Sequence, residues 1–415
     1  MDIRLTRRSL LMTGVAAGAL AATGISGARA EQILKVGILA PLTGGSAADG
    51  EECVRGATLA VEEINKAGGV AGYMFEVVAG DTGNTADMAT SAFQRLSGDD
   101  ALQVMMAGYA SGTNFEINLM AEIDMPYLVA ANSAQTRDII APDPAAFPTV
   151  WSLTPSYDAY NTELLPVVQK LADSGKLKLP NKKVALVSSD NPYSRTIYDG
   201  LKKAFGDAGW EITVDEMVPF GDINDWRAFL ARVRQDPPAV VINTDYQPGN
   251  AATFMTQFME QPTDSLVFIQ YAPSVPEFMT LTKEKSTGVV YNLLGGVLDT
   301  PANPRAAEVK AKFKERWGVE SGTYGVALYE MAYIYADALG KVGDPAKRLE
   351  IGQAIGATDK QTAQGRVVFD PATHLAKQGD DFIPIQFYQI WDGERVLFSP
   401  EKYKTGDFKM PPWMK

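Results

Sequence analysis

Few residues of this chain are equipped for bond-making chemistry. Its 415 residues include one cysteine, Cys53, and one histidine, His374. A Ser-His or Cys-His engine would have to be built on His374 alone, and a His-rich metal site cannot be assembled. Cys53 falls inside a helical pattern with no histidine near it in sequence. It reads as a small packed residue and has no partner for an intramolecular disulfide. The paired acids Glu51-Glu52, Glu62-Glu63, Asp99-Asp100 and Asp380-Asp381 read as solvated surface. Thr43-Gly-Gly-Ser46 is Gly-rich but lacks the Gly-Lys-Ser/Thr ending of a phosphate loop, which argues against nucleotide binding. What remains is binding chemistry. Short apolar runs repeatedly end in loops of small polar residues, at 43–48, 108–114, 131–134, 189–194, 244–249 and 271–274.

The elements around these loops alternate. Residues 34–40 are rich in Leu, Val and Ile and predict a strand. Val54, Ala57, Thr58, Val61 and Ile64 recur at helical spacing, and Asn65-Lys-Ala-Gly-Gly69 ends that helix. Strands follow at 75–79, 104–107 and 126–130, with helices at 85–96 and 115–123 between them. Strand, small polar loop and helix recurring in this way indicate a parallel sheet with right-handed crossovers. In such open sheets ligands bind at the carboxyl ends of the strands, beside the loops. Residues 147–156 predict a crossing, after which the rhythm restarts. Helices are expected at 157–172, 195–206, 226–235 and 251–260, and strands at 183–188, 211–217, 239–243 and 266–270. A return crossing is expected at 288–292, helices at 305–317 and 325–342, and a third hinge strand at 369–371. Residues 385–391 and the Asp392-Gly393 turn predict a terminal hairpin. The fold class is α/β, with two lobes of the same design.

Residues 1–30 predict a secretory leader. Thr6-Arg7-Arg8-Ser9-Leu10-Leu11 is a twin-arginine pattern, an apolar stretch runs to Gly24, and Ala28-Arg29-Ala30 supplies a cleavage signal. No Cys follows it, so a lipid-anchored terminus is not indicated. The expected location is the periplasm. Across the full sequence 38 Lys and Arg face 50 Asp and Glu, a formal net charge of −12. Cleavage would remove Arg4, Arg7, Arg8 and Arg29 against Asp2, leaving a more acidic chain. That surface is a poor partner for nucleic acid.

Two stretches carry a family likeness. Lys35-Val-Gly-Ile-Leu-Ala-Pro-Leu-Thr-Gly44 and Gly56-Ala-Thr-Leu-Ala-Val-Glu-Glu-Ile-Asn-Lys-Ala-Gly-Gly69 resemble the opening of the type I periplasmic binding proteins of ABC importers. The branch they resemble binds branched-chain amino acids (Leu/Ile/Val) and amides. Val78-Ala-Gly-Asp81 and the helix 325–339 fit the same pattern. The resemblance implies two Rossmann-like lobes with parallel central sheets, joined by a three-segment hinge around a ligand. It implies lobe 1 at 31–152 with 291–370, and lobe 2 at 153–290 with 371–415. It further implies ligand contacts from Tyr109, Ser111 and Thr113 after the third strand, and from Asn132 and Ser133 after the fourth. Ala47 and Ala48 would form one wall where other members carry an aromatic residue. In the second lobe it implies Tyr193 and Tyr246 as aromatic contacts. Where the family often places an acid to pair with an ammonium, this chain has Tyr271-Ala272, and Asp245 is the nearest substitute.

Physical chemistry agrees with these roles. N–H and O–H groups ahead of Phe115 would hold a carboxylate without a cation, aided by the helix dipole. Tyrosine rings would face the apolar remainder of a small ligand, and a buried Asp245 would orient a cation. The bland alternatives remain: Ser111, Thr113 and Ser133 as helix caps, Asp245-Tyr246 as a turn, and Trp151 as hinge packing. The implied function is a receptor without cofactor. It would capture an amino acid, branched-chain or otherwise hydrophobic, and deliver it to the permease and ATPase subunits of a transporter. A small amide, urea, an aromatic carboxylate, or a sensory role are the alternatives.

Overall fold

The computed structural model describes residues 32–415, and the expected leader lies outside the described residues. The strands are β1 (Gln32–Ala40), β2 (Tyr73–Asp81), β3 (Leu102–Ala107), β4 (Tyr127–Val129), β5 (Val150–Ser152), β6 (Lys183–Ser189) and β7 (Glu211–Val218). They continue as β8 (Val240–Asn243), β9 (Leu266–Ile269), β10 (Val290–Leu294), β11 (Asp359–Thr362), β12 (Gly365–Val368), β13 (Ile385–Trp391) and β14 (Glu394–Ser399). One sheet has the order β2-β1-β3-β4-β5 and is parallel throughout. The other has the order β14-β13-β10-β9-β8-β6-β7. It is parallel from β7 to β10, and β13 and β14 close it as an antiparallel hairpin.

β1 is a near-continuous apolar run because it is covered on both faces. Val36, Ile38, Leu39 and Ala40 expose no surface. Burying each large aliphatic side chain here contributes about 1.5–3 kcal/mol. The helix Ala47–Lys66 turns Cys53, Ala57, Ala60, Val61 and Ile64 toward the core. Its main neighbour is the helix Thr323–Val342. The two backbones meet at Gly56: a Cβ there would lie 1.9 Å from the Gly325 carbonyl oxygen. Glu52 fastens the same contact, since its carboxylate accepts from the backbone N–H of Gly322 (2.8 Å) and Gly325 (3.4 Å). Gly322 precedes the second helix and has no side chain to cap it, so the cap comes from the neighbouring helix.

The chain passes between the sheets at three places. After β5, Ser152 pairs with Leu375, tying the first passage to the third. At the second passage Gly295 adopts φ +75°, and a Cβ there would lie 2.9 Å from the Thr154 hydroxyl. His374 sits at the third, its Nδ1 3.0 Å from the Val150 carbonyl and its ring stacked 4.0 Å from Trp151. Burial holds its pKa below the ordinary value. The one histidine and Trp151 therefore pack the hinge.

Several expectations are corrected. Residues 288–292 are not a crossing: Val290–Leu294 is an internal strand of the seven-stranded sheet, and the expected boundary at 290/291 falls inside it. A run of apolar residues buried on both faces looks the same in a crossing as in a strand. The helix expected at 157–172 is broken at Glu163 into Ala159–Thr162 and Leu164–Asp173. The helices Ser133–Ile140 and Arg348–Gly356 and the β11–β12 hairpin went unread because each is short.

Candidate ligand-binding site

A cavity of about 270 Å³ lies between the carboxyl ends of the two sheets. The first sheet contributes Asn84 after β2, Tyr109, Ser111, Gly112 and Thr113 after β3, and Ala131 and Asn132 after β4. The second contributes Asn191 and Tyr193 after β6, Tyr246 after β8, and Tyr271 after β9, with Phe220 at the side. Tyr324, in the first turn of the helix Thr323–Val342, completes the wall. A smaller recess continues behind Tyr193 and Tyr271 and is lined by Ser133, Tyr157 and Tyr160.

The loop after β3 is held open by side chains. Asn114 takes φ +52° and donates its amide to the Ala131 carbonyl (3.1 Å) and the Thr136 hydroxyl (2.8 Å). Asn132 takes φ +53° and donates to the Ser111 carbonyl (2.8 Å). Asparagine tolerates this left-handed conformation better than most residues. The N–H groups of Ser111, Gly112 and Thr113 meet no backbone acceptor among the described residues. Such a loop can receive an anion.

The aromatic wall is one network, edge-to-face among the tyrosines. Tyr109 meets Tyr324 (5.4 Å) and Tyr246 (6.3 Å), Tyr193 meets Tyr246 (5.9 Å), and Phe220 stacks on Tyr246 (6.0 Å). Two hydrogen bonds cross from one sheet's side to the other. The Asn84 amide donates to the Tyr246 hydroxyl (2.7 Å), and the Tyr271 hydroxyl donates to Asp49 (2.9 Å). Asp49 also accepts from the Tyr109 hydroxyl (2.8 Å). Tyr271 is held at φ +58°, a conformation that costs a non-glycine residue about 1–3 kcal/mol.

The electrostatics are those of buried acids behind a wall of phenols. Burial pushes Asp49 up to about 6, opposed by its two phenol donors. Burial pushes Glu116, which accepts from Ser111 and Tyr127, up to about 7. No Lys or Arg is among the lining residues, and the one lining acid, Asp190, pairs with Arg195.

Of the residues expected from sequence, Tyr109, Ser111, Thr113, Asn132, Tyr193, Tyr246 and Tyr271 line the cavity. Ser133 lines the recess instead, its hydroxyl accepting from the Tyr157 N–H (3.1 Å). Asp245 is placed elsewhere. It is fully buried, and its carboxylate accepts from the Gln247 N–H (3.0 Å) and the Asn250 amide (2.8 Å), closing the turn before the next helix. Ala47 and Ala48 face a neighbouring groove with Asp222 and Glu277. Sequence reasoning passed over Asn84, Phe220, Tyr324 and Asp49. Asp49 carried no local signal, because the phenols it binds are 60 and 222 residues away.

Comparison with known proteins gives a consistent picture. The model of the family described as "Periplasmic binding protein" matches residues 33–390. A crystal structure of a Silicibacter pomeroyi protein, described as a candidate branched-chain amino acid ABC transporter, is 30% identical. It superposes with a TM-score of 0.81 over 92% of this chain and 100% of its own. A Brucella abortus Leu/Ile/Val-binding protein homolog is 27% identical, covering 92% of this chain and 96% of that one. The Streptococcus pneumoniae branched-chain amino acid transporter substrate-binding protein, solved with isoleucine, is 20% identical with a TM-score of 0.72, covering 88% and 98%. With one parallel and one mostly parallel sheet, three passages between them and a family match over most of its length, this chain belongs to the periplasmic binding proteins.

Proposed function

We propose that this chain is the periplasmic substrate-binding component of an ABC transporter. It captures a small hydrophobic amino acid, branched-chain first among them, in the cavity between its two sheets. The observation that carries this reading is the cavity's division of labour. Unbonded backbone N–H groups at 111–113 suit a carboxylate, and the tyrosine and Phe220 rings suit an apolar side chain. Tyr109, Ser111, Thr113, Asn132, Tyr193, Tyr246 and Tyr271 are the contacts we assign, with Ser133 in the recess. The protein acts by binding alone. Its two lobes, one around each sheet, close by hinge bending, and the closed form is what the permease of a permease–ATPase assembly recognises. We assign the leader as a twin-arginine signal cleaved after Ala30.

The names of the relatives support the ligand class, since one is described as a Leu/Ile/Val-binding protein homolog and another was solved with isoleucine. A thermal-shift panel of leucine, isoleucine, valine, urea and benzoate tests it. A ligand at 100 times its Kd stabilises the folded form by about 2.7 kcal/mol. A shift with the aliphatic amino acids is expected; a panel in which none of them raises Tm sinks the ligand assignment. A second reading, an aromatic carboxylate, rests on the unusual number of rings in the wall, and a shift with benzoate alone would favour it.

A further inference from the structure

We propose that Asp49 is the specificity-determining residue of this cavity, selecting ligands whose polar end carries an amine beside the carboxylate. The inference deepens the amino-acid reading and rests on it. Asp49 does not itself line the cavity; it stands directly behind two residues that do. Its two oxygens accept the hydroxyl protons of Tyr109 (2.8 Å) and Tyr271 (2.9 Å). One phenol follows β3 and the other follows β9, so the carboxylate also ties the two sides of the cleft together.

The direction of these bonds sets the polarity of the wall. A phenol that donates backward to a carboxylate keeps only its oxygen lone pairs for the cavity. Ser111 is oriented the same way, its hydroxyl donating to the buried Glu116 (2.9 Å). Three hydroxyls that donate away from the cavity, on Tyr109, Tyr271 and Ser111, leave it only acceptor oxygens. The N–H groups at 111–113 make a separate surface that donates hydrogen bonds. A ligand matching both has N–H donors next to its carboxylate, as an α-amino acid does and an amine-free acid does not. A cation in such a place also gains from the formal charge of Asp49 one hydroxyl away.

Asp49→Asn tests this by changing bond direction at almost constant shape. The amide accepts from one tyrosine and donates to the other, which must then turn its proton into the cavity. Titration calorimetry is run with leucine and with 4-methylpentanoate, the same carbon skeleton lacking the amine. The wild-type chain should prefer leucine by about 100-fold or more, the scale of one or two charge-assisted hydrogen bonds. In Asp49→Asn that ratio should shrink about tenfold, through loss of leucine affinity with 4-methylpentanoate spared. Tyr271→Phe, which leaves the buried carboxylate in place, should shift the ratio in the same direction if Asp49→Asn does not fold. An unchanged ratio in a folded variant overturns the role of Asp49 while leaving the amino-acid reading intact. A wild-type chain that binds 4-methylpentanoate as well as leucine also overturns it. A wild-type chain that binds neither overturns the amino-acid reading, and the role of Asp49 with it.

Discussion

Gly56→Ala should destabilise this protein although alanine is the better helix former. Position 56 lies in the helix Ala47–Lys66, where replacing glycine ordinarily gains about 1 kcal/mol. Here the added Cβ would sit 1.9 Å from the Gly325 carbonyl oxygen and 2.7 Å from its carbon. Both are backbone atoms, so no rotamer change relieves the overlap. Real Cβ contacts essentially never fall under 3.0 Å, so the two helices must separate by more than 1 Å. Overpacking of this kind costs about 1–3 kcal/mol, and more when backbone must move. The helix gain offsets only part of it, and a net loss of about 1–2 kcal/mol is expected. The same shift moves Asp49, two turns earlier on that helix, away from Tyr109 and Tyr271, so leucine affinity should fall as well. Urea unfolding followed by fluorescence gives the stability, and calorimetry the affinity. A variant with an unchanged or higher urea midpoint would refute the reasoning, because it would mean the helices are not in backbone contact at Gly56.

Other consequences are open to similar tests. Tyr246→Phe removes the acceptor of the Asn84 amide at 2.7 Å and should weaken ligand binding about 5–10-fold by calorimetry, leaving Tm within a few degrees. Gly108→Ala would place a Cβ 2.7 Å from the Tyr324 ring and 2.8 Å from the Cys53 sulfur. It should push that ring into the cavity, and bulky ligands should lose more affinity than alanine does. Burial, with the Asp49 charge beside it, pushes Glu52 up to about 8, while the Gly322 and Gly325 N–H groups and Arg395 pull it down. Because the folded value lies above the unfolded one, its favourable contribution is full below about pH 4.5 and is lost as pH rises through 8. Glu52→Gln imitates the protonated form, so its stability relative to wild type should improve between pH 5 and pH 9 in urea titrations; a constant difference contradicts the burial argument.

The parallel frame was legible because its signals are local. β1, β6, β8 and β9 are short aliphatic runs that end in small polar loops, and a strand covered on both faces needs no long-range information to be recognised. The loops that line the cavity were legible for the same reason: Tyr109, Ser111, Asn132 and Tyr246 follow such strands directly. Asp245 shows where that logic stops. It occupies the right loop, but Asn250 and the Gln247 N–H, only a turn away, take its carboxylate. Asp49 shows the converse. Its two partners are 60 and 222 residues distant, so nothing near it in sequence marks it as different from Glu51. Val290–Leu294 was misread because the hydrogen bonds that make it an internal strand come from β9 and from β13, about 100 residues later.

The most direct test of the central claim is titration calorimetry of unfolded, dialysed and refolded protein with leucine, isoleucine and valine. One molecule per chain with Kd near or below about 10 μM, a free energy of about −7 kcal/mol, is the predicted result. Absence of binding by all three, in protein shown to be folded, would contradict it.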